Sequence, residues 1–325
     1  MQKIPGVTPG GAKPRELTVW LAQDEEEPRL HLWIHPPDAG GGWEIRVREG
    51  ELKEALAGLA SSTEVPDRPA AANLVDYFQD GRWRPALRRY AQYAEQSGWS
   101  LAHRFALYGQ AKIAFDASTD EESRGQAFEY VYNSLRDYAQ VFRGAASRWD
   151  AETAFTFFTE HQAECGPQSV RTLESLSKSE TNQILLPFLD KLHDIRILTG
   201  STGYPVAAAS RFLHFFNPHL FPIFDDILTN REVLQVFGAE FDRYIADTGA
   251  GGWNDDSAFY GQYVLWASRH IQLADPELFD DFATWFGVQV EGEEDDNGVL
   301  AEIKTYHAAL FEFVAVGAAK LQLEG

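Results

Sequence analysis

Residues Thr119–Phe142 read TDEESRGQAFEYVYNSLRDYAQVF, and this stretch decides the fold class. Phe128, Val131, Leu135, Tyr138 and Phe142 recur three and four apart. That repeat lays side chains along one face of an α-helix. Thr119 and Glu122 precede it in capping-box spacing, which predicts a helix start there. Outward along the chain the same period returns. Leu87, Tyr90 and Tyr93 form one stripe, Ala154, Phe155 and Phe158 another behind a cap at Asp150. Leu185, Leu189, Leu192 and Ile195 form a third, and Val206, Ala209, Leu213 and Phe216 a fourth. Further helices are predicted over about 257–273, 276–286 and 299–320. Phe and Tyr at this spacing read as core rather than as a cofactor box.

The N-terminal part has a different period. Residues 1–15, rich in Pro and Gly, read as a flexible tail. Leu17–Leu21, Arg29–His35 and Trp43–Arg48 alternate apolar and polar residues, with turn-like connections between them. Residues 16–60 therefore read as a small antiparallel β meander with one helix, Glu51–Leu59. The expected fold is mainly α, a multi-helix bundle over residues 70–325 behind that small β unit.

Composition narrows the function. Asp and Glu number 49 against 28 Lys and Arg, a net charge of −21. Such a chain opposes non-specific binding to nucleic acid or an anionic membrane, since both require a cationic surface. The single cysteine, Cys165, excludes an internal disulfide and a Cys-rich metal site. No stretch reads as a signal peptide, and no apolar run approaches the roughly 20 residues of a transmembrane helix. A cytoplasmic protein without membrane attachment is the expectation. No P-loop, Rossmann fingerprint, nucleophile elbow or H-E-x-x-H helix is present, and no cofactor or metal site is predicted.

The most unusual stretch runs from Leu198 to Asp226. Gly200 and Gly203 permit a tight turn, Pro205 opens a helix, and Asn217-Pro218 closes it. On that helix Arg211 and His214 project opposite the apolar stripe, with Phe215 between them. With His219 beyond the helix end, they form a candidate surface for an anion or a stacked base. Asp225 and Asp226 follow in Phe221-Pro222-Ile223-Phe224-Asp225-Asp226. They read as a helix cap, a carboxylate pair for acid–base work or a magnesium site. Gln168–Arg231 carries six basic and six acidic residues, so the acid excess lies elsewhere. Arg82, Arg84, Arg88, Arg89 and Arg104, interleaved with Trp83, Tyr90 and Trp99, read either as phosphate contacts or as a face paired with neighbouring carboxylates.

Residues 184–226 resemble the helix–hairpin–helix element and Pro-x-x-Asp turn of the helix–hairpin–helix DNA glycosylase superfamily. The resemblance implies a catalytic role for Asp225, with Asp226 the one-residue alternative. That role would be stabilising positive charge on a sugar or orienting water while the base is held out of its stack. The sequence departs from the family in two ways. Gly200 and Gly203 are three apart rather than two, and no Lys lies between Thr199 and Asp226, which argues against a Schiff-base lyase. Two functions follow. One is binding of a nucleobase, nucleotide or short nucleic-acid strand, with or without catalysis. The other is a non-catalytic helical scaffold that binds a protein partner. The acidic loop 291–298 is assigned to neither.

Overall fold

The computed structural model describes residues 2–6, 15–22, 29–35, 43–48, 73–97, 100–138, 151–194, 205–224, 232–248 and 256–324. They fall in two units, Met1–Ala72 and Asn73–Gly325. In the first, the backbone is extended over β1 (Gln2–Gly6), β2 (Arg15–Ala22), β3 (Arg29–His35) and β4 (Trp43–Arg48). These pair antiparallel in chain order, with Val19 opposite Leu32 and Leu32 opposite Ile45. β1, within the stretch read as tail, pairs with β2. Glu51–Leu59, Asp150, the Gly200–Gly203 turn, Asp225 and Asp226 lie outside the described residues.

The second unit is helical. Its longer helices are α1 (Trp83–Ser97), α2 (Leu101–Phe115), α3 (Glu121–Tyr138), α4 (Ala151–Glu160) and α5 (Leu186–Asp194). After them come α6 (Pro205–Phe216), α7 (Leu234–Thr248), α8 (Asp256–Gln272), α9 (Glu277–Gln289) and α10 (His307–Glu324). Among the described residues no helix is long and apolar enough to cross a membrane.

Local chemistry explains several boundaries. Ser100 caps α2, its hydroxyl accepting from His103 N. α3 starts one residue later than Thr119 predicts. Asp120 is the cap, its carboxylate 2.9 Å from Ser123 N. A carboxylate at that end also suits the positive pole of the helix. The single helix expected over 299–320 is broken. Val299–Glu302 forms one turn and Ile303–Thr305 a tighter one, and Tyr306 leaves helical geometry (φ −76°, ψ 64°) before α10 begins. Asp295 holds the first turn by accepting from Val299 N at 2.7 Å and Leu300 N at 3.0 Å, so this member of the acidic loop is a structural cap.

α10 is the centre of the core. Every residue from His307 to Ala319 is buried, as befits a helix that is apolar on nearly all sides, with Glu312 the buried charge among them. Gly317 lies against α1 so closely that a Cβ there would sit 2.0 Å from Ala86 O. A second focus is Phe216, whose ring centre lies 4.9 Å from Phe115 and 4.7 Å from Phe158. Phe128, Val131 and Leu135 of the opening stripe are buried.

Candidate functional site

The end of α6 does not present the exposed face that its sequence predicts. Ala209 through Phe216 are buried except Arg211, which is half-buried. His214 has no solvent exposure and Phe215 has 2%. The cause is a segment invisible to a helical projection. Residues 221–224, neither helix nor strand, run as a strap against α6. Ser210 Oγ accepts from Phe224 N and donates to Phe224 O, both at 2.9 Å. His214 Nδ1 lies 2.9 Å from Phe221 O, and Tyr260 of α8 donates to Pro222 O at 2.8 Å. The strap covers the side on which His214 was expected to meet solvent.

A carbonyl only accepts, so His214 Nδ1 carries the proton and Nε2 is the acceptor. Tyr108 of α2 therefore donates its hydroxyl to His214 Nε2, at 2.7 Å. Burial, with Arg104 nearby, pushes the imidazole down to about 3, so it is neutral at pH 7. Behind it lies a buried ion pair, Arg104 to Glu312 at 2.7 Å, with Tyr90 OH 3.3 Å from the same carboxylate oxygen. Burial opposes the Arg104 charge, but Glu312, Tyr90 and Tyr108 more than offset it and hold the guanidinium protonated. Burial pushes the Tyr108 phenol well up, so its proton stays on.

Tyr108 is also a wall of a cleft. The cleft has a volume of about 220 Å³ and lies between the C-terminal ends of α2 and α6 and the broken segment before α10. Its apolar walls are Phe115, Phe215, Phe216, Tyr108 and Tyr306, and its polar groups include Lys112, Asp116, Gln168, His219 and Glu302. Tyr108 meets Phe215 at 5.1 Å and Tyr306 at 5.3 Å between ring centres. His219 stands edge-to-face to Tyr306 at 4.9 Å.

Each polar group is fixed from behind. Asn217, at the end of α6, donates to Cys165 O and Gly166 O and accepts from His219 N at 3.1 Å. His219 Nδ1 gives its proton to Thr305 O at 2.8 Å, which leaves Nε2 as an acceptor. Burial holds this imidazole below its ordinary range, hence uncharged. Lys112 Nζ pairs with Glu302 at 2.8 Å and donates to Gly298 O at 3.3 Å. Asp116 accepts from Ser118 N and Ser118 Oγ, which keeps it a carboxylate below the usual range.

Of the residues picked from sequence, Phe215 and His219 line this cleft, whereas Arg211 and His214 do not. His214 acts through Tyr108, as a support. Lys112, Gln168, Glu302 and Tyr306 were not foreseen, because they come from three segments far apart in the chain with no local signature. Three arginines of the arginine-rich stretch are tied to carboxylates. Arg84 meets Asp281 at 2.8 Å, Arg89 pairs with Glu324, and Arg104 is buried with Glu312. Cys165 is buried and its thiol is pushed up to about 12 by burial, so it is no nucleophile. The chain turns at His161, whose Nδ1 bonds Phe157 O, and no His, Cys, Asp and Glu cluster fit for a metal exists among the described residues. No protein-family model matches the chain, and comparison with curated proteins and with solved structures returns no match.

Proposed function

We propose that the helical unit of this protein binds a nucleobase, free or carried on a larger molecule, in the cleft between α2, α6 and Tyr306. One observation carries the reading. Phe215 and His219, singled out in sequence as base-contacting, meet Tyr108, Tyr306, Lys112 and Gln168 around one concavity. Aromatic walls with a few fixed polar groups are the usual make-up of a small-ligand site. About 150 Å³ suffices for one benzene ring, so about 220 Å³ admits one base. The helix–hairpin–helix resemblance points the same way. A step at the glycosidic bond would fall to Asp225 or Asp226, directly after the strap. Residues 16–60 are taken as a separate small β unit, and the protein as cytoplasmic.

A second reading, a non-catalytic scaffold, is favoured by a groove of about 350 Å³ lined by Trp83, Leu87, Trp285 and Val288 and edged by Arg84 and Arg88. Val288 is 62% exposed there. Calorimetric titration with adenine, guanine, cytosine and uracil separates the two. The base-binding reading expects saturable binding of at least one base, weakened tenfold or more in His219→Ala. Absence of binding by all four sinks it and leaves the scaffold.

A further inference from the structure

We infer that the cleft accepts an uncharged base or nucleoside and rejects the same compound once it is phosphorylated. This rests on the nucleobase reading above and adds the charge of the ligand to it. Three features of the cleft agree. Its formal charges are Lys112 against Asp116 and Glu302, with His219 neutral, a balance of one negative. The single ammonium is already engaged by Glu302 at 2.8 Å and by Gly298 O at 3.3 Å, so a phosphate would have to displace a carboxylate to use it.

The backbone adds the same sign. Lys112 and Phe115 belong to the last turn of α2, and Phe215 and Phe216 to the last turn of α6. Helix C-termini carry partial negative charge, whereas anion sites are built on N-termini. α10 begins beside the cleft at His307, but its Ala308 N–H is given to Pro218 O at 3.0 Å. Finally, a volume of about 220 Å³ lies below the roughly 300–1,000 Å³ of sites that enclose larger ligands. One base fills it, so a sugar would lie at the mouth and a phosphate would be pushed to the rim, against Asp116 and Glu302.

The test is a calorimetric comparison of adenosine, guanosine and cytidine with their 5′-monophosphates, on the full chain at about 0.1 M salt, where charges within about 10 Å still interact. The expected result is a nucleoside bound at least tenfold more tightly than its monophosphate. In the double variant Asp116→Asn, Glu302→Gln, matched to wild type by circular dichroism, that ratio should shrink to about threefold or less. A monophosphate bound as tightly as its nucleoside, or more tightly, overturns the inference and leaves base binding standing. A ratio unchanged in the double variant overturns the electrostatic cause. Binding of neither class removes base recognition itself.

Discussion

His214 shows how a residue chosen for its chemistry can be used for its neutrality. It is sealed between Tyr108 and Phe221 O, and burial holds its pKa at about 3 against 6.5 in an unfolded chain. Below pH 6.5 the unfolded chain takes up a proton that the folded one refuses. The stability this site contributes is therefore complete above pH 6.5 and lost as pH falls toward 3. The slope is ~1.4 kcal/mol per pH unit, or about 2 kcal/mol lost by pH 5. His307, held at about 4 by burial and by His219, acts with the same sign. Urea unfolding at pH 7.5, 6 and 5 measures it. An acidic chain also loses charge repulsion on acidification, so the comparison is with His214→Gln, whose stability should fall less steeply by about that slope. Identical slopes would show that His214 is protonated in the folded protein. The residue's identity was legible in sequence, but its role was not. A projection at 100° per residue places His214 opposite the stripe without knowing that Phe221–Phe224 returns to cover it.

At the scale of elements, the sequence is most readable where period alone decides and least readable where two elements meet. The stripes through Phe128 and Leu213 give helices with buried faces. The break before α10 was missed because Asp295 and Gly298 end the acidic loop and cap a short turn from outside the apolar run, and that break is what puts Glu302 and Tyr306 at the cleft. Gly317 was missed for a related reason: nothing beside it announces that α1 passes there. A methyl at 317 would sit 2.0 Å from Ala86 O and 2.6 Å from Ala86 C, backbone atoms that cannot rotate aside. Gly317→Ala must therefore separate α1 from α10 and should cost about 1–3 kcal/mol or more. Gly261→Ala is the control. Its methyl would meet Leu186 Cδ2 at 2.6 Å, the free end of a side chain that can turn away. Thermal melts should show a fall of several degrees for the first and a clearly smaller one for the second. Equal falls would mean that α1 and α10 tolerate separation.

For the whole molecule, the net charge of −21 opposes any long polyanion, and among the described residues the two local exceptions that composition allows are partly paired with acids. The arginines of α1 and α2 are the first. Arg84, Arg89 and Arg104 are each committed to a carboxylate, and Trp83 and Tyr90 beside them are buried. The neutral segment Gln168–Arg231 is the second. There Lys191 lies 3.4 Å from Glu164 and Arg171 4.0 Å from Glu180, so two of its six cations also face acids. A duplex footprint needs several phosphates neutralised together. A protein making six to ten such contacts loses about 10³–10⁵ in affinity between 50 and 200 mM salt. Nothing comparable is present among the described residues of the helical unit, where the cleft itself is negative and about one base wide. Fluorescence anisotropy of a labelled 20-mer duplex should thus show no saturation at micromolar protein at either salt. A labelled single strand should likewise show no saturation, because its phosphates would meet Asp116 and Glu302 at the rim of the cleft. Submicromolar duplex binding that weakens steeply with salt would mean that a cationic surface exists elsewhere on the chain. Base recognition would then belong to that surface and not to the cleft.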